Sequence, residues 1–183
     1  ETVMLSEHEI ISTLEMLKNE NLDVRTVTLG VSLLDCAGSD LTQVRQRVAD
    51  RICRLAGELV PVCERISQKY GIPVVNKRVA VSPIAVVGAA LAAAEMVELA
   101  HTLDAVAREI NVDFIGGFSA LVEKGMARGD RSLIAAIPEA LATTERLCAS
   151  VNVASTRAGI NMDAVILMGQ TIKRAAGLTA DRD

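Results

Sequence analysis

Four runs rich in β-branched and aliphatic residues recur along this chain, each followed by a stretch long enough for a helix. That alternation limits the fold more than any single motif does. The runs are Asp23–Leu34, Pro73–Val81, Val112–Ile115 and Cys148–Ala154, and residues of this type suit a pleated, half-buried surface. Between the first two, Val44, Val48, Ile52, Leu55, Leu59, Val62 and Ile66 recur at steps of three and four, the spacing of one helical face. Strands separated by helices cannot form hairpins; they pair in parallel through right-handed crossovers. The expected fold is therefore α/β, a leading helix followed by four β-α units. An open doubly wound sheet and part of an α/β barrel both satisfy it.

Local signals punctuate the elements. Ser6 and Glu9 form a capping box for a first helix whose apolar face is Ile10, Ile11, Leu14 and Leu17. Asp40 and Gln43 repeat that arrangement before the second helix. Pro61, four residues after Gly57, predicts a kink between them, and Gly71 predicts the helix end. Ser82 is the expected N-cap and Pro83 the first turn of a long helix reaching Ile110, in which Gly88–Ala94 permits close packing. Gly116-Gly117 reads as a turn after the third strand. Asp130 is placed to cap a helix that Pro138 interrupts and restarts, and Asn161 or Asp163 to begin the last one, with Val165, Ile166, Met168 and Ile172 inward.

The 183 residues suit a single domain. Half of them are hydrophobic, yet there is no Trp, one Tyr and two Phe, so the core is expected to be aliphatic and alanine-rich. The net charge is −4 and basic residues interleave with acidic ones. With almost no aromatics to stack on bases, a nucleic-acid surface is not expected. The longest charge-free run, Val79–Ala94, is too short to span a bilayer. No basic-then-apolar leader opens the sequence. Cys53 and Cys63 fall in one predicted helix, roughly 15 Å apart at helical rise, which excludes a disulfide between them there. Reduced thiols and a cytoplasmic protein are the expectation. Two His and no Cys/His/carboxylate cluster at ligand spacing predict no metal site.

Ligands of parallel α/β folds bind at the carboxyl ends of the strands. Reading off those ends gives Asp35 and Cys36, then Lys77, Arg78 and Ser82. The third strand contributes Gly116, Gly117 and Ser119, and the fourth Asn152, Ser155, Thr156, Arg157 and Asn161. Glycines let a backbone approach a ligand, hydroxyls ahead of a helix N-terminus suit an anion, and Arg157 can clamp a carboxylate or phosphate. Each has a bland alternative: a Gly-Gly turn, a Ser-Thr helix cap, a solvated strand cation, an inert buried cysteine. Their shared location points to a pocket for a small anionic metabolite, with Asp35 or Glu123 as candidate general acid or base. No cofactor is indicated.

Several stretches resemble the "PFL family protein" group of bacteria and archaea. They are Gly30-Val-Ser-Leu-Leu-Asp-Cys36, Asn76-Lys-Arg78, Asp113-Phe-Ile-Gly-Gly-Phe-Ser-Ala-Leu-Val-Glu-Lys-Gly125 and Ser150 through Val165. The resemblance covers nearly the whole chain. It implies the ten-stranded α/β barrel of pyruvate formate-lyase, a homodimer, and association with an ACT-domain protein of the amino-acid-sensing type. It implies no reaction. Chains of that group are more than twice as long, so this chain corresponds to the N-terminal part of a barrel. Pyruvate formate-lyase itself uses two neighbouring cysteines and a glycyl radical, whereas the cysteines here are never adjacent.

Overall fold

A computed structural model of the chain describes residues 6–20 and 23–181. Helix α1 (Glu7–Glu15) runs into a π turn (Met16–Glu20), followed by β1 (Val24–Val31) and a short 3-10 turn (Leu34–Cys36). Next come α2 (Leu41–Ala56), α3 (Leu59–Tyr70), β2 (Val74–Val81), α4 (Ile84–Val87), α5 (Ala93–Glu109) and β3 (Phe114–Leu121). The chain continues with α6 (Arg128–Thr143), β4 (Leu147–Asn152), the two-residue strands β5 (Ala154–Ser155) and β6 (Gly159–Ile160), and α7 (Met162–Leu178).

The four long strands form one parallel sheet in the order β1-β2-β3-β4. Strand order therefore follows chain order. With right-handed crossovers such a sheet is wound in one sense and collects its helices on one side. The packing agrees: α2 lies on β1, α3 on β2, α5 on β3 and β4, and α6 on β3 and β4. Val31, Val79, Val81, Ile115, Phe118, Ala120 and Leu147 point into this helical layer and are buried. They meet Val44, Val48 and Ile52 of α2, Met96, Leu99 and Leu103 of α5, and Leu133, Ile134 and Ile137 of α6 in one continuous core. Residues of opposite parity, including Thr28, Gly30, Ala80, Cys148 and Ser150, stay exposed.

Several local expectations hold. The Ser6–Glu9 capping box forms, Asp40 caps α2, Asn161 caps α7, and Gly71 ends α3 with φ of 70°. Near Pro61 the helix breaks rather than bends, with Gly57-Glu58 as a turn between α2 and α3. Asp130 sits inside the first turn of α6, its carboxylate accepting from the Ala127 amide at 2.8 Å.

Other expectations are corrected. Ser82 does not cap a helix; its Oγ accepts from the Leu33 amide at 3.1 Å, tying the ends of β1 and β2 together. The helix expected from Pro83 to Ile110 is two helices, because the turn at Gly88 closes onto α5. A Cβ on Gly88 would stand 2.9 Å from the Met96 methyl carbon. Pro138 is buried inside an unbroken α6. Gly116-Gly117 is a β-bulge within β3, not a turn. The inward face of α7 is Ala164, Leu167, Met168 and Thr171, with Val165, Ile166 and Ile172 exposed. Ile10, Ile11 and Leu14 of α1 are likewise exposed, and the Leu17 side chain lies outside the described residues.

Asp104 fastens the layers. Its carboxylate, 5% exposed, accepts from the amides of Glu145 (2.9 Å) and Arg146 (2.7 Å) and pairs with Arg108 (2.8 Å). Helix α5 thereby holds the entry of β4.

Candidate functional site

The carboxyl ends of β3 and β4 are stitched into one rim by backbone and side-chain hydrogen bonds. Val122 donates its amide to the Asn152 carbonyl (2.9 Å), and Asn161 donates its amide to the Val153 carbonyl (2.9 Å). The Asn161 side chain donates to the Val122 carbonyl (2.7 Å) while its oxygen accepts from the Ala164 amide (3.2 Å). One residue thus joins the end of β3, the end of β4 and the start of α7. Asn152 Nδ2 adds a contact to Glu123 Oε2 at 3.3 Å.

Beside this rim lies an open cleft of about 560 Å³. Glu123, Lys124 and Gly125 line it from the β3–α6 loop, Arg131 from α6, and Ala158, Asn161 and Asp163 from the segment leading into α7. Lys124 and Arg131 carry no motif. The available signal is position alone: Lys124 lies in the loop after the third strand and Arg131 in the first turn of the helix that follows. Among the described residues neither forms an ion pair. The cleft therefore combines two uncommitted cations with two carboxylates, Asp163 and Glu123, the latter oriented by an amide. Such a set can hold an anion and present it to an acid–base group.

The structure brings together Asn152, Asn161 and Glu123 from the sequence reading. Ser155 Oγ accepts from the Ala158 amide (3.1 Å) across the β5–β6 hairpin. That hairpin separates Ser155-Thr156 from α7, so neither caps the helix; Asn161 does. Thr156 and Arg157 sit exposed at the hairpin tip, outside the lining of the cleft.

Asp35 stands apart. It faces α2, where it pairs with Arg51 at 3.0 Å and shares a separate cleft with Cys36, Arg47 and Arg54. Burial there pushes the Cys36 thiol above its ordinary pKa, and the neighbouring Asp35 carboxylate adds to the shift. Burial and then Glu109 do the same to Cys53. Raised values disfavour the thiolate, so neither is built as a nucleophile. All four cysteines are free.

Gly116, Gly117 and Ser119 belong to the sheet itself. Gly117 has φ of 115° and backs against Val81; Ser119 Oγ donates to the Gly117 carbonyl at 3.3 Å. Gly116 faces the side of the sheet that no helix among the described residues covers, where a Cβ would meet nothing within 4 Å. On that side the register aligns Thr28 with Arg78 and Phe114, then Gly30 with Ala80, Gly116 and Cys148, then Ser119 with Ser150. Arg78 stacks over the Phe114 ring, 5.3 Å from its centroid, with its Nε buried and lacking an acceptor among the described residues. An unpaired buried donor costs about 1–3 kcal/mol.

Among the described residues, no group of three or more His, Cys, Asp or Glu is placed to hold a metal ion, and no helix is long and apolar enough to cross a membrane.

The chain is 67% identical over 180 residues to a UPF0210 protein of Syntrophobacter fumaroxidans, covering 98% of this chain and 39% of the relative. It is 61% identical to one from Oleidesulfovibrio alaskensis, covering 98% of this chain and 40% of that protein. A UPF0210 protein of Desulfovibrio desulfuricans is 63% identical, with 98% and 39% covered. The chain thus spans about two-fifths of the length of these relatives. Residues 15–183 match the family described as uncharacterised ACR (DUF711), and the chain belongs to that family.

Proposed function

We propose that this chain is the N-terminal part of a larger cytoplasmic α/β barrel of the pyruvate formate-lyase type, and that it holds a small anionic metabolite at the carboxyl ends of its strands. The observation that carries the reading is the single winding of the sheet. Strand order equals chain order, α2, α5 and α6 pack on one buried face of the sheet, and both outer strands are open among the described residues. Parallel sheets are normally covered on both faces. A sheet continued in this sense curls into a barrel whose interior is the helix-free face. The short span of the chain against its relatives supports that continuation.

In this reading Lys124 and Arg131 attract the anion, Arg157 closes over it from the hairpin tip, and the amides and hydroxyls of Asn152, Ser155, Thr156 and Asn161 complete the cradle. Gly116, Gly117 and Ser119 form its floor. Glu123, which lines the cleft, is better placed than Asp35 to move a proton. No radical step is invoked.

The exposed apolar residues of α1 and α7 favour a second reading, a regulatory protein that dimerises or docks an ACT-domain partner through those helices. Thermal denaturation with a panel of small carboxylates and phosphate monoesters separates the two. A saturable rise in Tm that Arg157→Ala and Lys124→Ala abolish supports the metabolite site. No rise with any member of the panel refutes it. An amino-acid-dependent complex with an ACT-domain protein, without such a rise, establishes the second reading.

A further inference from the structure

We infer that the helix-free face of the sheet carries an anion-binding position of its own, centred on Arg78 and separate from the rim cleft. The inference rests on the reading that this face lines ligand space; it shares Gly116 and Ser119 with the proposed floor but uses none of the residues that line the rim cleft. Three rows of aligned residues define it. The lowest places Arg78 between Thr28 and Phe114. The next is Gly30, Ala80, Gly116 and Cys148, which leaves a shallow trough directly above the arginine. Above that, Ser119 and Ser150 present two hydroxyls side by side. At strand rise, adjacent rows on one face are roughly 6.6 Å apart, so Arg78 lies about 10 Å below the end of β2.

Charge complementarity selects the occupant. Across these three rows Arg78 is the one charged residue, and no carboxylate shares them. Among the described residues it forms no ion pair. Its guanidinium carbon lies 5.3 Å from the centroid of the Phe114 ring, a cation–π distance, and its Nε is buried without an acceptor among the described residues. A guanidinium presents two parallel donors to a carboxylate or phosphate. At Gly30 and at Gly116 an added Cβ would meet nothing within 4 Å, so the space above Arg78 is open to the body of such a ligand. The serine pair suits a second polar group one row further up.

The test is the Nε–Hε resonance of Arg78 in the 15N-labelled chain, assigned by its loss in Arg78→Lys, titrated separately with inorganic phosphate and with acetate. The expected result is a saturable shift with at least one anion. The more effective of the two tells whether the position prefers phosphate or carboxylate. Movement at the amides of residues 123–125 and 155–158, with Arg78 unmoved, overturns the Arg78 position while leaving the rim cleft standing. No saturable movement anywhere overturns both. Arg78→Met then checks the assignment without relying on its stability: anion-induced shifts of Thr28, Gly116 and Cys148 amides in the wild type must vanish in the variant. Their persistence also counts against Arg78.

Discussion

Gly117 backs directly onto Val81. A Cβ at position 117 would stand 2.5 Å from both the Val81 carbonyl oxygen and its Cγ2, and the glycine holds φ at 115°. The bulge in β3 exists because the extra residue has no side chain and accepts a conformation that L-residues avoid. It also sets parity: past it, Phe118 points into the core while Ser119 turns to the helix-free face. Gly117→Ala is expected to destabilise the fold by at least about 2 kcal/mol, lowering Tm by roughly 4–8 °C for a chain of this size. Gly116→Ala, with open space at its Cβ, serves as the control and is expected to move Tm by much less. Equal losses in calorimetry would remove the steric account.

Asp104 predicts a second large effect. Its buried carboxylate is the acceptor for two amides and the partner of the half-exposed Arg108. Asp104→Ala leaves those two amides without an acceptor and is expected to cost about 3 kcal/mol. Asp104→Asn keeps one oxygen and should lose less. Urea denaturation of the three proteins orders them; an alanine variant as stable as wild type would contradict the proposed fastening of α5 to β4.

What was legible in the sequence was local. The capping box at Ser6 and Glu9, the Asn161 cap and the Gly71 terminus depend on residues within a few positions of each other, and their chemistry is readable there. The β-α alternation was legible for the same reason, since helical and strand periodicities show within one element. Asp104 was invisible, because its amide partners lie 41 and 42 residues away. The Gly-Gly pair misled because a turn and a bulge use glycine alike, and only the neighbouring Val81 decides between them. The inward face of α7 is not legible because the helix carries apolar residues on two faces, and periodicity does not tell which one α6 covers. At the site, Asn152 and Asn161, read from a strand end, lie on one rim with Glu123, the candidate acid or base. They did not reveal that Asp35 turns away toward Arg51, nor that Arg157 rides on a hairpin.

Cysteine reactivity gives a third prediction, in which pH has a definite sign. Cys148 is exposed, Cys36 and Cys63 are buried, and Cys53 is half-buried. The thiols of Cys36 and Cys53 are held above their ordinary pKa by burial, with Asp35 and Glu109 adding to it. A raised pKa keeps the reactive thiolate scarce at neutral pH and delays its appearance until more alkaline pH. Iodoacetamide at neutral pH should therefore modify Cys148 first, as read by peptide mass spectrometry. Cys36 and Cys53 should gain reactivity only as pH rises past the usual thiol range. Labelling of Cys36 as fast as Cys148 at neutral pH would mean that the end of β1 opens readily.

Asn161 offers the sharpest test of the rim, because its two bonds can be separated chemically. The side-chain oxygen caps α7 at the Ala164 amide, and the side-chain nitrogen donates to the Val122 carbonyl at the end of β3. Asn161→Ala removes both and is expected to cost about 2 kcal/mol, roughly half from the cap and half from the cross-strand bond. Asn161→Asp keeps an oxygen for the cap and adds a negative charge where the helix dipole favours it. It loses the donor, however, and sets a carboxylate against the Val122 carbonyl. The aspartate variant should thus preserve slow amide hydrogen exchange at the start of α7 while exchange speeds up around residues 122–125. Alanine should speed both. If the two variants behave alike at both places, the helix start and the strand end are not joined through this side chain, and the rim would have to be held by the backbone pairs of Val122 with Asn152 and Asn161 with Val153 alone.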